Sequence, residues 1–477
     1  MRVAKEEFFR IIHYKRRYDA RQGRFIINIA YETATEATPR TIAIAEAFGL
    51  GLDQQQKFVI YDDVELKISE KDVVYITGDS GSGKSILLKA IKQDLGEKAI
   101  DMAEIKPEPE KPLIETIGKN LNEGLELLSK AGLNDAFLFI RRFRELSDGQ
   151  KYRYRIAKLV ESGKQWWIAD EFCSTLDRDM AKIVAFNVQK LARQMGKAVI
   201  VATTHTDLFG DLKPSVHVHK RFGKEITVKY YANEAAGECS LTKEMRVEEG
   251  AFSDYKRLSV FHYRSSRCPP PRKVFVLKRD SELCGVIVYS YPSSICFGRS
   301  RVWKGDFEKL QKEVSIISRV VVHPKYRSIG LGVKIVRETL ARAGTPYVEA
   351  LAVMAKYNPF FEKAGMQKIA ESKPSQGVLW ALERLRSLGF NPTMLGSVEQ
   401  NLLGVRRVGK AKIVKILEKL SKREASVKKR LMASGGAYPT HREFMKKIRG
   451  FSEEGLAKAL KTLSFLAQTK VYLFWKK

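Results

Sequence analysis

Two kinds of apolar run organise this chain. Short runs rich in β-branched and aromatic residues, the form taken by strands buried in a sheet, lie at 24–33 (RFIINIAYET), 57–66 (KFVIYDDVEL), 71–78 (KDVVYITG), 166–169 (WWIA) and 197–204 (KAVIVATT). Segment 214–231 (PSVHVHKRFGKEITVKYY) closes this group. A second group lies at 273–280 (KVFVLKRD), 282–292 (ELCGVIVYSYP), 314–322 (VSIISRVVV) and 347–355 (YVEALAVMA), with VYLFWKK at 471–477. Between them, apolar residues recur at helical spacing over 38–51, 86–95, 115–132, 135–146, 181–196, 253–264 and 333–344. Beyond residue 384 that spacing dominates: 405–432, 441–450 and 451–468 read as helices, with Ile413, Ile416 and Leu420 on one face and lysines outside. A Pro/Glu-rich loop at 103–113 and a linker-like NEAAGECS at 233–240 interrupt the order.

These breaks divide the chain into an N-terminal layer (1–55), an α/β domain (56–232), a linker (233–244), an α+β domain (245–383) and a mainly helical module (384–477). The total of 477 residues suits about three domains of roughly 150 residues. No run approaches the ~18 apolar residues of a membrane span. The N-terminus is basic and aromatic without an apolar signal core, so a soluble, cytoplasmic protein without a membrane partner is expected. Five scattered cysteines without a CxxC pair read as buried or incidental thiols. Charge changes the picture most. The 85 Lys+Arg against 55 Asp+Glu leave +30, and Arg384 to Lys477 holds 22 basic and 6 acidic side chains. Such an excess opposes compaction and points to a polyanionic partner, most often nucleic acid.

Chemistry enters at 78–85. Gly78-Asp79-Ser80-Gly81-Ser82-Gly83-Lys84-Ser85 follows a strand and opens a helix, the setting a phosphate loop requires. Its glycines let backbone N–H groups turn to phosphate oxygens, Lys84 reaches terminal phosphates, and the Ser85 hydroxyl suits Mg²⁺. Downstream stand Leu146-Ser147-Asp148-Gly149-Gln150, Asp170-Glu171 at the end of WWIA, Ser174-Thr175-Leu176-Asp177, and His205 after the next strand. With these five motifs in order, residues 56–232 resemble the ABC-type ATPases. The resemblance implies that Gly78, Ser80, Gly81, Gly83, Lys84 and Ser85 bind ATP, that Asp170 joins Ser85 in holding Mg²⁺, and that Glu171 is the general base with His205 on the γ-phosphate. It implies further that Ser147, Gly149 and Gln150 meet the ATP of a facing subunit in a head-to-tail homodimer. The family's Q-loop glutamine is absent; Glu108 or Glu110 stands in its region. Phe58 or Tyr61 is the candidate adenine-stacking aromatic. His217 and His219 share a strand face, with no third metal ligand near.

A second anion motif, Arg327-Ser328-Ile329-Gly330-Leu331-Gly332, follows the strand VVV-His323-Pro324 and opens a helix, with NPFFEKAGM at 358–366 beyond it. Residues 245–383 thereby resemble the GNAT N-acetyltransferases. The resemblance implies acetyl-CoA bound by Val321, Val322, Arg327, Ser328, Ile329, Gly330, Leu331, Gly332, Asn358 and Phe361. The family's general-acid tyrosine falls on Phe361; Tyr357 either replaces it or packs. Glu313, Glu349 and His323 are candidate bases, each equally suited to a salt bridge or the core.

The expected whole is an α/β multidomain protein: a P-loop ABC-type ATPase domain, a GNAT-type α+β domain, and a basic helical C-terminal module whose last helix and strand suit a winged-helix unit. Its expected work is ATP-controlled acetyl transfer to RNA (tRNA or rRNA) or to a protein of a ribonucleoprotein, with ATP, Mg²⁺ and acetyl-CoA as ligands. The alternative is a mechanical ATPase of nucleic-acid repair or ribosome handling that uses the second fold for binding.

Overall fold

The structure is a computed structural model, and the residues it describes are 9–33, 37–49, 57–133, 135–262, 268–353, 359–424, 427–428, 431 and 439–477. The chain forms two compact units, one of residues 1–288 with 319–339 and the other of residues 289–318 with 340–477.

The first unit opens with β1 (Phe9–Asp19), β2 (Arg24–Thr33), α1 (Pro39–Phe48) and β3 (Lys57–Lys67). The three strands form an antiparallel sheet in the order β1-β2-β3. The strand at 57–67 thus belongs to the N-terminal layer and not to the nucleotide-binding sheet. There follow β4 (Val73–Gly78), α2 (Lys84–Leu95), β5 (Ala99–Asp101), α3 (Leu121–Lys130), α4 (Ala136–Phe139), α5 (Asp148–Glu161), β6 (Trp166–Ala169), α6 (Arg178–Met195), β7 (Ala198–Thr203), α7 (Phe209–Leu212), β8 (Val216–Lys220) and β9 (Ile226–Tyr230). The helices expected at 115–132 and 135–146 are shorter than their apolar spacing suggests, and both are flanked by single 3₁₀ turns.

Five parallel strands and one antiparallel edge strand make a six-stranded sheet in the order β5-β6-β7-β4-β8-β9. Both faces are covered, so every residue of β4 and β7 is buried and most are apolar. Trp166 and Trp167 show the alternation directly. The first packs with Phe25, Ile27 and the α2 side chains Leu87 and Ile91; the second packs with Ile156 and Leu159 of α5 and Val184 of α6.

The same unit continues through α8 (Ser240–Lys243), β10 (Arg246–Glu249), α9 (Phe252–Leu258), β11 (Pro271–Arg279) and β12 (Glu282–Ser290), and takes in the end of β13 (Val314–Val322) and α11 (Leu331–Thr339). β10 pairs antiparallel with β11. The N–H of His323, just past β13, donates to the carbonyl of Cys284 on β12. Tyr255, Val274, Val276, Val286, Val288 and Val321 form the core here.

The second unit holds α10 (Phe307–Glu313), the start of β13, β14 (Tyr347–Ala352), α12 (Phe360–Lys363), β15 (Gln367–Ser372), α13 (Gln376–Ser387), α14 (Val398–Val408), α15 (Lys410–Arg423), α16 (His441–Arg449), α17 (Glu453–Leu466) and β16 (Lys470–Lys476). β13 pairs parallel with β14. β16 runs antiparallel to both β14 and β15 and lies between them. This corrects the expected winged-helix arrangement: the last strand is an inner strand of the acetyltransferase-type sheet. The helices from α13 to α17 form a module between β15 and β16 with its own core, including Val378, Leu385, Ile413, Leu417, Phe444, Leu456 and Leu460. The helix expected across 405–432 breaks at Gly409, whose φ of 87° ends α14 and restarts the chain as α15.

Candidate functional site

Parallel register brings the nucleotide motifs to one sheet edge. Thr77 of β4 pairs with Thr203 of β7, and Val201 of β7 pairs with Ala169 of β6. Gly78, Asp170 and His205 therefore leave their strands at the same carboxyl-terminal edge, where α/β sheets bind ligands.

The loop from β4 to α2 is a cradle for an anion. A Cβ at Gly78 would fall 1.9 Å from the Lys220 carbonyl oxygen, so only glycine fits at this φ of 146°. Ser82 is buried, and its Oγ has no hydrogen-bond partner. Lys84 Nζ is folded into the loop, donating to the carbonyls of Gly78 (2.9 Å) and Asp79 (2.6 Å). Burial lowers its pKa, while Asp170, Asp79 and Glu171 oppose the shift. A desolvated ammonium and an unpaired hydroxyl fit a polyphosphate. Ser80, Gly81, Ser85, Asp170 and Glu171 are all exposed at this edge. The Ser85 hydroxyl and Asp170 carboxylate are an oxygen donor pair of the kind that holds Mg²⁺ beside substrate phosphates. Among the described residues no three His, Cys, Asp or Glu cluster as a metal cage. His217 and His219 instead share Thr77, whose Oγ1 lies 2.9 and 3.0 Å from their ring nitrogens.

Glu171 sits at φ 46° and Cys173 at 58°, a left-handed backbone unusual outside glycine. The turn is held by Phe172 N–H on the Ala202 carbonyl (2.7 Å) and by Cys173 N–H on the Tyr152 hydroxyl (3.2 Å). The Tyr75 hydroxyl donates to the His205 carbonyl. Burial, helped by Arg178, lowers the pKa of the His205 imidazole. Of the two candidate stacking aromatics, Tyr61 is buried, and its hydroxyl donates to the Gly83 carbonyl (2.9 Å); Phe58 is 47 % exposed. Tyr61 braces the loop from beneath and is not free to stack. Glu108 is paired with Lys111, and Glu110 with Arg144 and Arg142.

Ser147 caps α5 at an exposed position, with Gly149 and Gln150 half-buried beside it. Farther along the same helix, Arg153 is 4 % exposed. Its guanidinium donates to the Gly132 carbonyl (3.4 Å), Met180 Sδ (3.1 Å) and the Lys325 carbonyl (3.3 Å). Desolvation, with Arg327 nearby, pushes its pKa down to about 10.

Lys325 belongs to the second anion loop. That loop, residues 323–330, is stitched to the nucleotide-binding part of the same unit. Arg327 Nη1 contacts Asp135 (2.6 Å), and its other nitrogens donate to the carbonyls of Val322 and Phe261 (3.2 Å each). Asn187 of α6 donates to Ser328 Oγ (2.7 Å). Asp179, two residues beyond Asp177, receives Lys325 (2.6 Å) and Arg279 (2.9 Å). Burial raises the Asp179 pKa, but these two cations outweigh it and leave the carboxyl below its ordinary value. Ser328 and Gly330 have φ of 77° and 90°, a left-handed backbone that turns the chain sharply ahead of α11. Val321, Ile329 and Leu331 are buried; Val322 and Gly332 are half-buried.

In the second unit Glu349 is fully buried, and both its oxygens are engaged. Arg299 donates to them from Nε (2.9 Å) and Nη2 (2.6 Å), and the Tyr472 hydroxyl adds a third bond (2.9 Å). The residue expected as a candidate catalytic base is thus committed to a buried ion pair. Phe361 is buried and packs on Phe360. Tyr357 and Asn358 lie outside the described residues. Glu313 accepts from Trp303 Nε1 (3.0 Å), and His323 Nδ1 accepts the Lys325 N–H (3.3 Å). Asp135, Asp179, Asn187 and Arg153 had no sequence signal linking them to the second loop, since their partners lie more than 140 residues away.

No helix among the described residues is long and apolar enough to cross a membrane. Comparison with known proteins agrees with the two sets of motifs. The family model described as ABC transporter matches residues 61–174, and that of the acetyltransferase (GNAT) family matches residues 240–366. The cytochrome c biogenesis ATP-binding export protein CcmA of Gluconobacter oxydans is 31 % identical over 167 residues, covering 31 % of this chain and 76 % of CcmA. A putative ABC transporter ATP-binding protein of Clostridium tetani is 26 % identical over 217 residues, covering 39 % of this chain and 49 % of that protein. Among solved structures, a dimeric post-hydrolysis state of the ATP-binding cassette MJ0796 bound to ADP and Pi aligns at 20 % identity and a TM-score of 0.32, covering 37 % of this chain and 93 % of that one. With a phosphate cradle, a signature helix and an acid pair on one sheet, and a second anion loop ahead of α11, the chain belongs to the ABC ATPase family and carries in the same polypeptide an acetyltransferase domain of the GNAT family.

Proposed function

We propose that this protein hydrolyses ATP and uses acetyl-CoA to acetylate an amine on RNA, or on a protein of a ribonucleoprotein, with nucleotide binding controlling access to the acetyl-CoA loop. The observation that carries the reading is the stitching of that loop to the ATPase part: Lys325 to Asp179, Arg327 to Asp135 and Ser328 to Asn187. Asp179 follows Asp177 closely, so a shift of the Ser174–Asp177 turn is transmitted directly to Lys325.

On the ATP side, Lys84 neutralises phosphate charge, and Ser85 and Asp170 hold Mg²⁺, which supplies Lewis-acid stabilisation when bound. Glu171 accepts the proton of the attacking water, and His205 donates a hydrogen bond to the γ-phosphate. Ser147, Gly149 and Gln150 face the nucleotide of a second copy in a head-to-tail homodimer; the exposure of Ser147 supports this. On the acetyl side, the N–H groups of 328–332 grip the pyrophosphate, and the substrate amine attacks the thioester carbonyl while the thiolate leaves and takes up a proton. His323 and Glu313 remain the candidate bases. The exposed lysines of α15 (Lys410, Lys412, Lys415 and Lys419) suit phosphate contacts.

Purified protein incubated with labelled acetyl-CoA and either total RNA or cell protein, with and without ATP, tests the proposal. Label entering one pool in an ATP-dependent way is expected; label in neither pool rejects the transfer. A second reading, a mechanical ATPase using the GNAT fold as a binding module, is favoured by Glu349 being locked in an ion pair and by Phe361 standing at the family's tyrosine position. It predicts RNA- or DNA-stimulated ATP hydrolysis that survives bulky replacements of Gly330 and Gly332.

A further inference from the structure

The turn between β8 and β9, residues 221–225, carries an aromatic that none of the nucleotide motifs contains. Phe222 is 64 % exposed. A singly exposed phenylalanine is ordinary on a protein surface; the position of this one is not. Its Cε1 lies 3.8 Å from where a Cβ would stand on Gly81, so the ring edge borders the middle of the phosphate loop.

A buried cation fixes the turn. Lys220, at the end of β8, is fully buried. Its Nζ donates to the carbonyls of Arg221 (2.7 Å) and Gly223, one on each side of Phe222. The same ammonium lies 5.3 Å from the centre of the Tyr61 ring, whose hydroxyl holds the Gly83 carbonyl. The Lys220 backbone pairs with Gly78. Burying an ammonium is costly, and here two carbonyls and a ring face offset that cost. Turn and phosphate loop therefore share one set of anchors. The polar residues of the turn are engaged beside it, Arg221 with Glu225 (3.6 Å) and Lys224 with Asp62 (3.3 Å).

Strand order says which end of a nucleotide reaches this ring. Asp170, Glu171 and His205 follow β6 and β7 on one side of β4, and β8 lies on the other. A triphosphate whose γ end faces the acid pair runs back across the phosphate loop and leaves it toward β8. We propose that Phe222 is the platform on which the base of the bound nucleotide stacks, with Lys220 as the positioning residue that holds the platform beside Gly81. A ring of this kind reads the face of a base and not its edge, so it adds affinity without choosing between adenine and guanine.

The inference rests on the phosphate loop binding ATP, and calorimetry of the full chain with ATPγS and with inorganic tripolyphosphate, each with Mg²⁺, separates the two questions. Phe222→Ala is expected to weaken ATPγS binding about tenfold while tripolyphosphate binds as before, and Phe222→Trp to keep the wild-type affinity. GTPγS should lose as much as ATPγS. Lys220→Met should weaken ATPγS binding in the wild type and add nothing further in the Phe222→Ala background, a coupling that general damage to the fold does not produce; additive losses overturn the role of Lys220. An ATPγS affinity unchanged in Phe222→Ala overturns the platform, as does an equal loss for tripolyphosphate, which marks a disturbed loop. A loss in Phe58→Ala that Phe222→Ala does not share overturns it too, by placing the base on the N-terminal layer. A wild type that binds neither probe overturns the ATP reading and the platform together.

Discussion

Both oxygens of Glu349 accept hydrogen bonds from Arg299, and the Tyr472 hydroxyl closes the group from β16. Removing one partner of a buried ion pair leaves an uncompensated charge, which typically costs about 3–5 kcal/mol. Glu349→Gln is therefore expected to lower the melting temperature of the second unit sharply, and Arg299→Met with Glu349→Leu to recover most of the loss. An unchanged melt with abolished acetyl transfer would return Glu349 to catalysis. His205 gives a residue-scale prediction of a different kind. Burial and Arg178 hold its imidazole below the ordinary value of 6.5. The lowered pKa means the folded protein favours the neutral ring, and protonation is resisted until the pH falls below that ordinary value. The acid limb of ATP hydrolysis assigned to His205 should lie below pH 6.5 in the wild type and disappear in His205→Gln, read from kcat against pH.

At the scale of elements, β16 decides the integrity of the second unit. An inner strand satisfies two ladders at once, and its loss exposes both neighbouring edges. Deletion of residues 467–477 is expected to unfold or aggregate the second unit, with near-baseline near-UV dichroism from its aromatics, while the phosphate loop still binds ATP. A deletion variant that keeps a folded second unit and loses only RNA affinity would support the wing instead. VYLFWKK was legible as a strand from its composition, as were β4 and β7 from their unbroken apolar runs. Its partners were not, because pairing of Leu473 with Ala350 and of Tyr472 with Leu351 spans more than a hundred residues and leaves no local trace. The phosphate loop was legible because one short segment carries its whole chemistry. The Asp179–Lys325 and Asp135–Arg327 pairs were not, because each joins two motifs that read as complete alone.

For the whole molecule, the formal charge of +30 is the property most open to measurement. The buried residues Ile413, Ile416, Leu417 and Leu420 of α15 turn inward and leave Lys410, Lys412, Lys415 and Lys419 exposed. If these contact phosphates, binding to single-stranded RNA weakens with salt in proportion to the contacts made, at a slope of about 0.7 per phosphate. Replacing Lys410, Lys412 and Lys419 by Gln should flatten the slope by roughly 2, measured by fluorescence anisotropy across a salt series. An unaltered slope moves the interface elsewhere. The position of β16 also has a consequence in time. On the ribosome β14 and β15 emerge well before the strand that belongs between them, with the whole α13–α17 module synthesised in the interval. At about 5–20 residues per second, that is a wait on the order of 5–20 s with two open edges, whereas every strand of the nucleotide-binding sheet is already in place. The ATPase half can thus be folded and nucleotide-loaded while the acetyltransferase half is still incomplete, which makes the nascent second unit the part most in need of a chaperone.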